Sequence, residues 1–260
     1  MEVVVLPTVE DGAELVTDAI ARLLRRAPSA VLGLATGSSP LHVYERLIDR
    51  CRRGELSLAG ARAFLLDEYV GLAPQHPQSY RAVIRRELTD AVDLAPDAVH
   101  GLDGTADDPV AECARYEQAL ASAGGVDLQL LGIGTNGHLG FNEPGSSLAS
   151  RTRLKTLTRQ TRQDNARFFA DPQDVPRHVL TQGLATIRDA AHLVLLASGE
   201  GKAAAVAAAV EGPLSASCPA SVLQLHPHVS VVLDEAAAGR LTTLEQHRET
   251  WQAKPSWQPL

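Results

Sequence analysis

Short runs of consecutive apolar residues alternate along this chain with longer segments of helical period. The runs Val3–Leu6, Ala30–Ala35, Ala63–Leu66, Leu128–Ile133, Leu193–Ala197 and Val229–Leu233 are mostly apolar throughout instead of alternating with polar residues. That pattern predicts parallel strands covered on both faces. Between them, apolar spacing predicts helices at Glu10–Arg26, Pro40–Arg53, Ser79–Leu88, Pro109–Ser122, Val175–Ile187 and Glu200–Val210. In the second, Leu41, Leu47, Ile48 and Cys51 keep to one face and Gly54 supplies a stop. The β-α alternation predicts a three-layer α/β/α fold: a doubly wound, mostly parallel, modified Rossmann-like sheet. A single domain is expected over residues 1–260, with a C-terminal tail from about residue 235.

Composition narrows the picture by exclusion. The 260 residues, 45% hydrophobic and 21% charged, are enough to bury a core without a disulfide or metal staple. A net charge of −7 argues against a nucleic-acid partner. Cys51, Cys113 and Cys218 are scattered and form no C-x-x-C pair, which reads as reduced thiols. The opening MEVVVLPTVEDG has no basic n-region, and no run approaches the ~18 apolar residues of a membrane helix. A cytoplasmic protein with no membrane partner is expected.

In doubly wound sheets, ligands sit beyond the carboxyl ends of the strands. Four such places carry unusual chemistry. ATGSSP, from Ala35, places Thr36, Gly37, Ser38 and Ser39 at a predicted helix start, where backbone N–H groups and hydroxyls can hold an anion. The same letters also read as an N-cap followed by Pro40. In FLLDEYVG, Asp67 closes an apolar strand, and a carboxylate desolvated there gains basicity. It reads equally as a turn Asp bonded to its own backbone.

The third place is LGIGTNGHLGFNEPG, where Gly132, Gly134 and Gly137 spell the G-x-G-x-x-G of a dinucleotide turn. Pro144 and Gly145 interrupt any following helix, and residues 144–163 contain no acid to hold a ribose. The dinucleotide reading fails. Asn136, His138 and Glu143 remain, a set suited to proton shuttling. A structural His is the alternative, and a metal site lacks a third ligand. The fourth place supplies two cations, Arg167 in DNARFF and Lys202 after SGEG, as phosphate partners or as solvated surface charge.

Together these segments are similar to the glucosamine-6-phosphate deaminase family, also called glucosamine-6-phosphate isomerases. The resemblance is carried by VLGLATGSSP, LDEYVGL, HPQSY, GIGTNGHLGFNEPGSSLASRTR, TRQDNARFF, SGEGKAAAV and Cys218–Gln224, and runs to about Asp234. It implies conversion of glucosamine 6-phosphate and water to fructose 6-phosphate and ammonia, without cofactor or metal. It implies His138 as the ring-opening acid–base, oriented by Asn136 and Glu143, and Asp67 as the base that takes the C2 proton. It assigns Thr36, Gly37, Ser38, Ser39, Arg167 and Lys202 to the substrate phosphate, and a lid to the basic stretch around Thr158–His178.

Some members carry Asp where this chain has Asn136. Some hexameric members are activated by N-acetylglucosamine 6-phosphate, and Ser146, Ser147, Arg153 and Lys155 match part of that site. The tail RLTTLEQHRETWQAKPSWQPL offers no tyrosine where those members place an interface tyrosine. A homo-oligomer is left open on these grounds. The rival readings are a related sugar-phosphate isomerase, a 6-phosphogluconolactonase-like hydrolase, or a sugar-phosphate-binding regulator built on an inactive enzyme.

Overall fold

The computed structural model describes every residue except Ser256 and Pro259. The first half of the chain runs β1 (Glu2–Leu6), α1 (Val9–Arg26), β2 (Val31–Leu34), α2 (Ser38–Arg52), β3 (Arg62–Leu65), β4 (Asp67–Tyr69), α3 (Tyr80–Glu87), β5 (Val99–His100), α4 (Pro109–Ser122) and β6 (Leu128–Leu131). The second half runs β7 (Arg153–Thr156), α5 (Arg159–Asn165), β8 (His178–Thr181), α6 (Leu184–Arg188), β9 (Leu193–Ala197), α7 (Ala203–Val210), β10 (Val229–Asp234), α8 (Glu235–Ala238) and α9 (Leu244–Gln252).

Seven strands form one sheet in the order β1-β10-β9-β6-β2-β3-β5, and every pairing in it is parallel. Alternate residues of the central strands enter two different cores, which is why the runs are mostly apolar. Leu193 and Leu195 of β9 pack with Tyr116 of α4, Val206 of α7 and Ala237 of α8. Val194 and Leu196 pack with Ile20 of α1, Tyr44 of α2 and Ile84 of α3. Helices therefore cover both faces of one sheet, as the sequence predicts. Helix α9 follows α8 and packs on the edge strand β1, where the Lys254 ammonium reaches Glu2 at 2.6 Å.

The strand order reverses at β2, which lies between β3 and β6. The loops leaving β2 and β6 thus diverge around one crevice, where this class of sheet binds ligands. Two buried tyrosines fix that rim. Tyr44 donates its hydroxyl to the Ala35 carbonyl at 2.6 Å, just beyond β2, and Tyr116 donates to the Leu65 carbonyl at 2.6 Å, at the end of β3. Each such buried bond stabilises by roughly 1 kcal/mol.

One sequence expectation is overturned. The segment Val175–Ile187 is not one helix: its first half forms β8, and only Leu184–Arg188 is helical. Strand β8 sits in the middle of a second, antiparallel sheet of order β4-β8-β7, with Asp67 opposite Thr181 and Leu154 opposite Leu180. That sheet covers a separate apolar cluster of Tyr69, Phe141, Leu157 and Val179.

Candidate active site

The loop after β6 carries the site's central group. Gly134 and Gly137 close a tight turn in which Gly137 N–H donates to the Gly134 carbonyl and Gly134 N–H to the His138 carbonyl, both at 2.9 Å. Gly134 is required by packing: a Cβ there would stand 2.2–2.4 Å from three atoms of the His138 ring. Gly137 needs its left-handed φ of +82°, and a side chain there would also meet the Cys218 sulfur. The glycines of the dinucleotide-like spacing let an imidazole lie against the backbone.

A directional line of hydrogen bonds fixes that imidazole. Asn136 Nδ2 donates to Glu143 Oε2 at 2.8 Å, so the amide oxygen faces the opposite way, toward His138 Nδ1 at 2.7 Å. An amide oxygen only accepts, so Nδ1 carries the proton and Nε2 holds the free lone pair. The His138 backbone N–H also donates to Asn136 Oδ1, at 3.2 Å. Glu143 is buried and lies 3.7 Å from Nδ1. Burial lowers the His138 pKa, opposed by the charge of Glu143.

Asp67 opens β4 immediately beyond the carboxyl end of β3. It is 5% exposed, and burial, followed by the neighbouring Glu68 charge, raises its pKa well above the usual carboxylate value. Gly140, with φ +55°, lets the His138 loop pass close by, since a Cβ there would stand 3.4 Å from Asp67 Oδ2. One loop thus approaches both acid–base groups.

The loop of residues 35–37 leaves the carboxyl end of β2 and leads into α2. Gly37, at φ 120° and ψ 171°, turns the chain from β2 into α2, and among the described residues that helix start has no side-chain cap. Ser39 is buried, with its hydroxyl 3.3 Å from that of Ser198. Lys202 comes in from the turn before α7, donates to the Ile133 carbonyl at 2.7 Å, and has its pKa lowered by burial. Arg167 is placed differently. Its guanidinium lies over the Phe168 ring at 4.7 Å, although its charge is felt by Lys202. The stretch Thr158–His178 holds α5 and two short turns, Ala166–Phe168 and Pro172–Asp174.

The four residues matched to an activator site divide. Arg153 and Lys155 share the half-buried face of the edge strand β7, Ser147 is exposed, and the Ser146 hydroxyl is buried without a partner among the described residues. Among the described residues, no group of three or more His, Cys, Asp or Glu side chains is placed to hold a metal ion, and no helix is long and apolar enough to cross a membrane.

A family model described as glucosamine-6-phosphate isomerases/6-phosphogluconolactonase matches residues 7–232. The chain belongs to this family. Within it, a Beutenbergia cavernae protein named glucosamine-6-phosphate deaminase is 63% identical over 261 residues, covering 100% of both chains. A Mycolicibacterium smegmatis protein of the same name is 60% identical over 99% of both. A solved monomeric glucosamine-6-phosphate deaminase superposes with a TM-score of 0.90 at 43% identity, over 92% of this chain and 100% of that one. A 6-phosphogluconolactonase from Trypanosoma cruzi, at TM-score 0.72 and 21% identity over 93% and 97%, shares the fold.

Two side chains of this family member escape a reading of the sequence alone. Glu68 accepts from the backbone N–H groups of Tyr69 at 2.8 Å, and of Tyr80 and Arg81 at 3.0 Å. It therefore ties the start of α3 to β4 beside Asp67. Tyr80 stacks its ring parallel to Phe141, at 5.9 Å between centroids, and its hydroxyl meets Tyr69 at 3.3 Å and the Thr36 side chain. An acid followed twelve positions later by Tyr80 carries no periodic signal, so only the fold shows this connection.

Proposed function

We propose that the chain is a glucosamine-6-phosphate deaminase, converting glucosamine 6-phosphate and water to fructose 6-phosphate and ammonia. The observation that carries this reading is the fixed tautomer of His138, with Nε2 left as the acceptor, on the loop that also skirts buried Asp67, whose pKa burial raises. In the pyranose, Nε2 takes the proton of the C1 hydroxyl and returns it to the ring oxygen, which opens the ring and leaves an aldehyde at C1. The C2 proton is then acidic. Asp67 removes it, giving an enolamine, and delivers it to C1. The C2 imine so formed adds water and expels ammonia, leaving the C2 ketone. A general base at this step contributes about 10²–10⁴-fold.

The phosphate is read onto the N–H groups of Gly37, Ser38 and Ser39, the Thr36 hydroxyl, Lys202 and Arg167. A dianion there sustains the lysine charge that burial disfavours. Binding at this remote group orients the reacting carbons. Movement of Arg167 off Phe168 toward the phosphate is the closing step expected of the Thr158–His178 stretch. All of these side chains come from one chain, so a single copy holds a complete site.

The test is simultaneous measurement of fructose 6-phosphate and ammonia released by the wild-type protein and by Asp67→Asn. The two products are expected in equal amounts, with the variant slower by about 10²–10⁴-fold. Wild-type protein that binds glucosamine 6-phosphate and releases neither product refutes the reading.

A further inference from the structure

Helix α5 is fastened to the His138 loop at both ends. At its start, the N-cap Thr158 donates its hydroxyl to Glu143 Oε1 at 3.2 Å, and its backbone N–H reaches the same oxygen at 3.4 Å. At its other end, Asp164 Oδ2 accepts from the Thr135 hydroxyl at 3.2 Å, while Oδ1 accepts from Gln160 at 2.8 Å. Thr135 directly precedes Asn136. The helix therefore touches both limbs of the loop that carries the ring-opening histidine.

That histidine is short of negative charge. Its direct partner is an amide, which orients Nδ1 but carries no net charge. Glu143 stands one step further out, with Oε2 already accepting from Asn136. The charged groups that face His138 are Glu143 on its own loop, Lys202 from the turn before α7, and Asp164 from α5. Lys202 and burial disfavour an imidazolium there, whereas Glu143 and Asp164 favour it.

We infer that Asp164 is a positioning residue for this site: through Thr135 it pins α5 onto the His138 loop, and in doing so brings a second carboxylate, after Glu143, toward an imidazole whose Nδ1 is hydrogen-bonded to an uncharged amide. The inference rests on the deaminase reading and adds a residue to it. The carboxylate belongs to α5 and not to the loop, so His138 reaches its full basicity only when the helix is seated.

Asp164→Asn keeps the side-chain shape and an acceptor for Thr135 but removes the charge. The neutral Nε2 is the base, so the acid limb of the kcat/KM profile follows the His138 titration. Removing a carboxylate lowers that pKa and moves the limb to lower pH, by about half a unit for a charge at a solvent-accessible position. His138 followed by imidazole NMR in ligand-free protein is expected to shift equally, and adding Asn136→Asp to the variant is expected to move both back up. Thr135→Val, which deletes the donor, is expected to speed amide exchange across Arg159–Asn165. Coincident His138 titrations in wild type and Asp164→Asn, or unchanged exchange in Thr135→Val, overturn the inference whatever the activity. A wild-type protein with the expected titration and no ammonia release overturns the deaminase reading instead.

Discussion

Replacing Gly134 by alanine is expected to disable the site while leaving the protein folded. The added Cβ would lie 2.2 Å from His138 Cε1, 2.3 Å from Nδ1 and 2.4 Å from Nε2, whereas ordinary contact begins at 3.4 Å. The ring must therefore retreat by at least about 1.2 Å, the difference between 3.4 Å and 2.2 Å. That movement exceeds the tolerance of the 2.7 Å bond from Nδ1 to Asn136. Misplacing a reacting group by about 1 Å costs on the order of 10²-fold in rate.

Stability should change little. Gly134 lies outside the left-handed region, so alanine restricts the unfolded chain and contributes roughly 0.4–1 kcal/mol, which offsets the ~1 kcal/mol of the lost hydrogen bond. Ammonia release with saturating glucosamine 6-phosphate, together with a thermal melt, tests this directly. Wild-type kcat in Gly134→Ala refutes the reasoning, and so does a loss of activity matched by a collapse in melting temperature.

Two further outcomes follow from buried groups. Glu68→Gln leaves one acceptor oxygen for three N–H donors, so at least one donor loses its partner at ~1–3 kcal/mol. The same change removes the charge that helps hold the Asp67 pKa up, so Asp67 should ionise at lower pH, read from the acid side of the kcat profile. An unchanged urea midpoint and an unchanged profile count against both effects. At the opposite end of the sheet, His192 is buried, bonds through Nε2 to the Ser230 hydroxyl at 2.9 Å and stacks on His228 at 3.7 Å.

Burial holds the His192 pKa at about 3, below its unfolded value of 6.5. Stability from the neutral ring is therefore complete above about pH 6.5 and is lost as pH falls toward about 3. The loss by about pH 5 is at most ~2 kcal/mol, less where water reaches the ring edge. Urea unfolding of wild type and His192→Gln at pH 7.5 and pH 5 measures it; parallel declines in the two proteins would exclude His192 as the source.

The parallel strands were legible because burial on both faces favours apolar residues at most positions, and β9 reads LVLLA from end to end. The candidate site was legible where chemistry clusters along the chain: Asn136, His138 and Glu143 lie within eight residues and form one hydrogen-bonded line. The small sheet was not. Val175, Leu180, Leu184 and Ile187 have a spacing a helix tolerates, and only pairing with distant β4 and β7 makes His178–Thr181 a strand. Glu68 and Asp164 were missed for the same reason. Each acts through a partner brought near by the fold, respectively Tyr80 and Thr135, and neither pairing leaves a local pattern.

The antiparallel pairing of β4 with β8 has a consequence for how Asp67 is aimed. Asp67 stands opposite Thr181, and Thr181 stands opposite Arg153 on the outer strand, so three residues lie in one row across the small sheet. Side chains alternate between faces along a strand, so a slip of β4 by a single residue would turn Asp67 away from the His138 loop and point Glu68 toward it. The Glu68 bonds to Tyr80 and Arg81 oppose that slip, because they form only when Glu68 faces α3. Which of two adjacent acids faces the His138 loop is thus decided by strand register, and the other acid is the one that locks it.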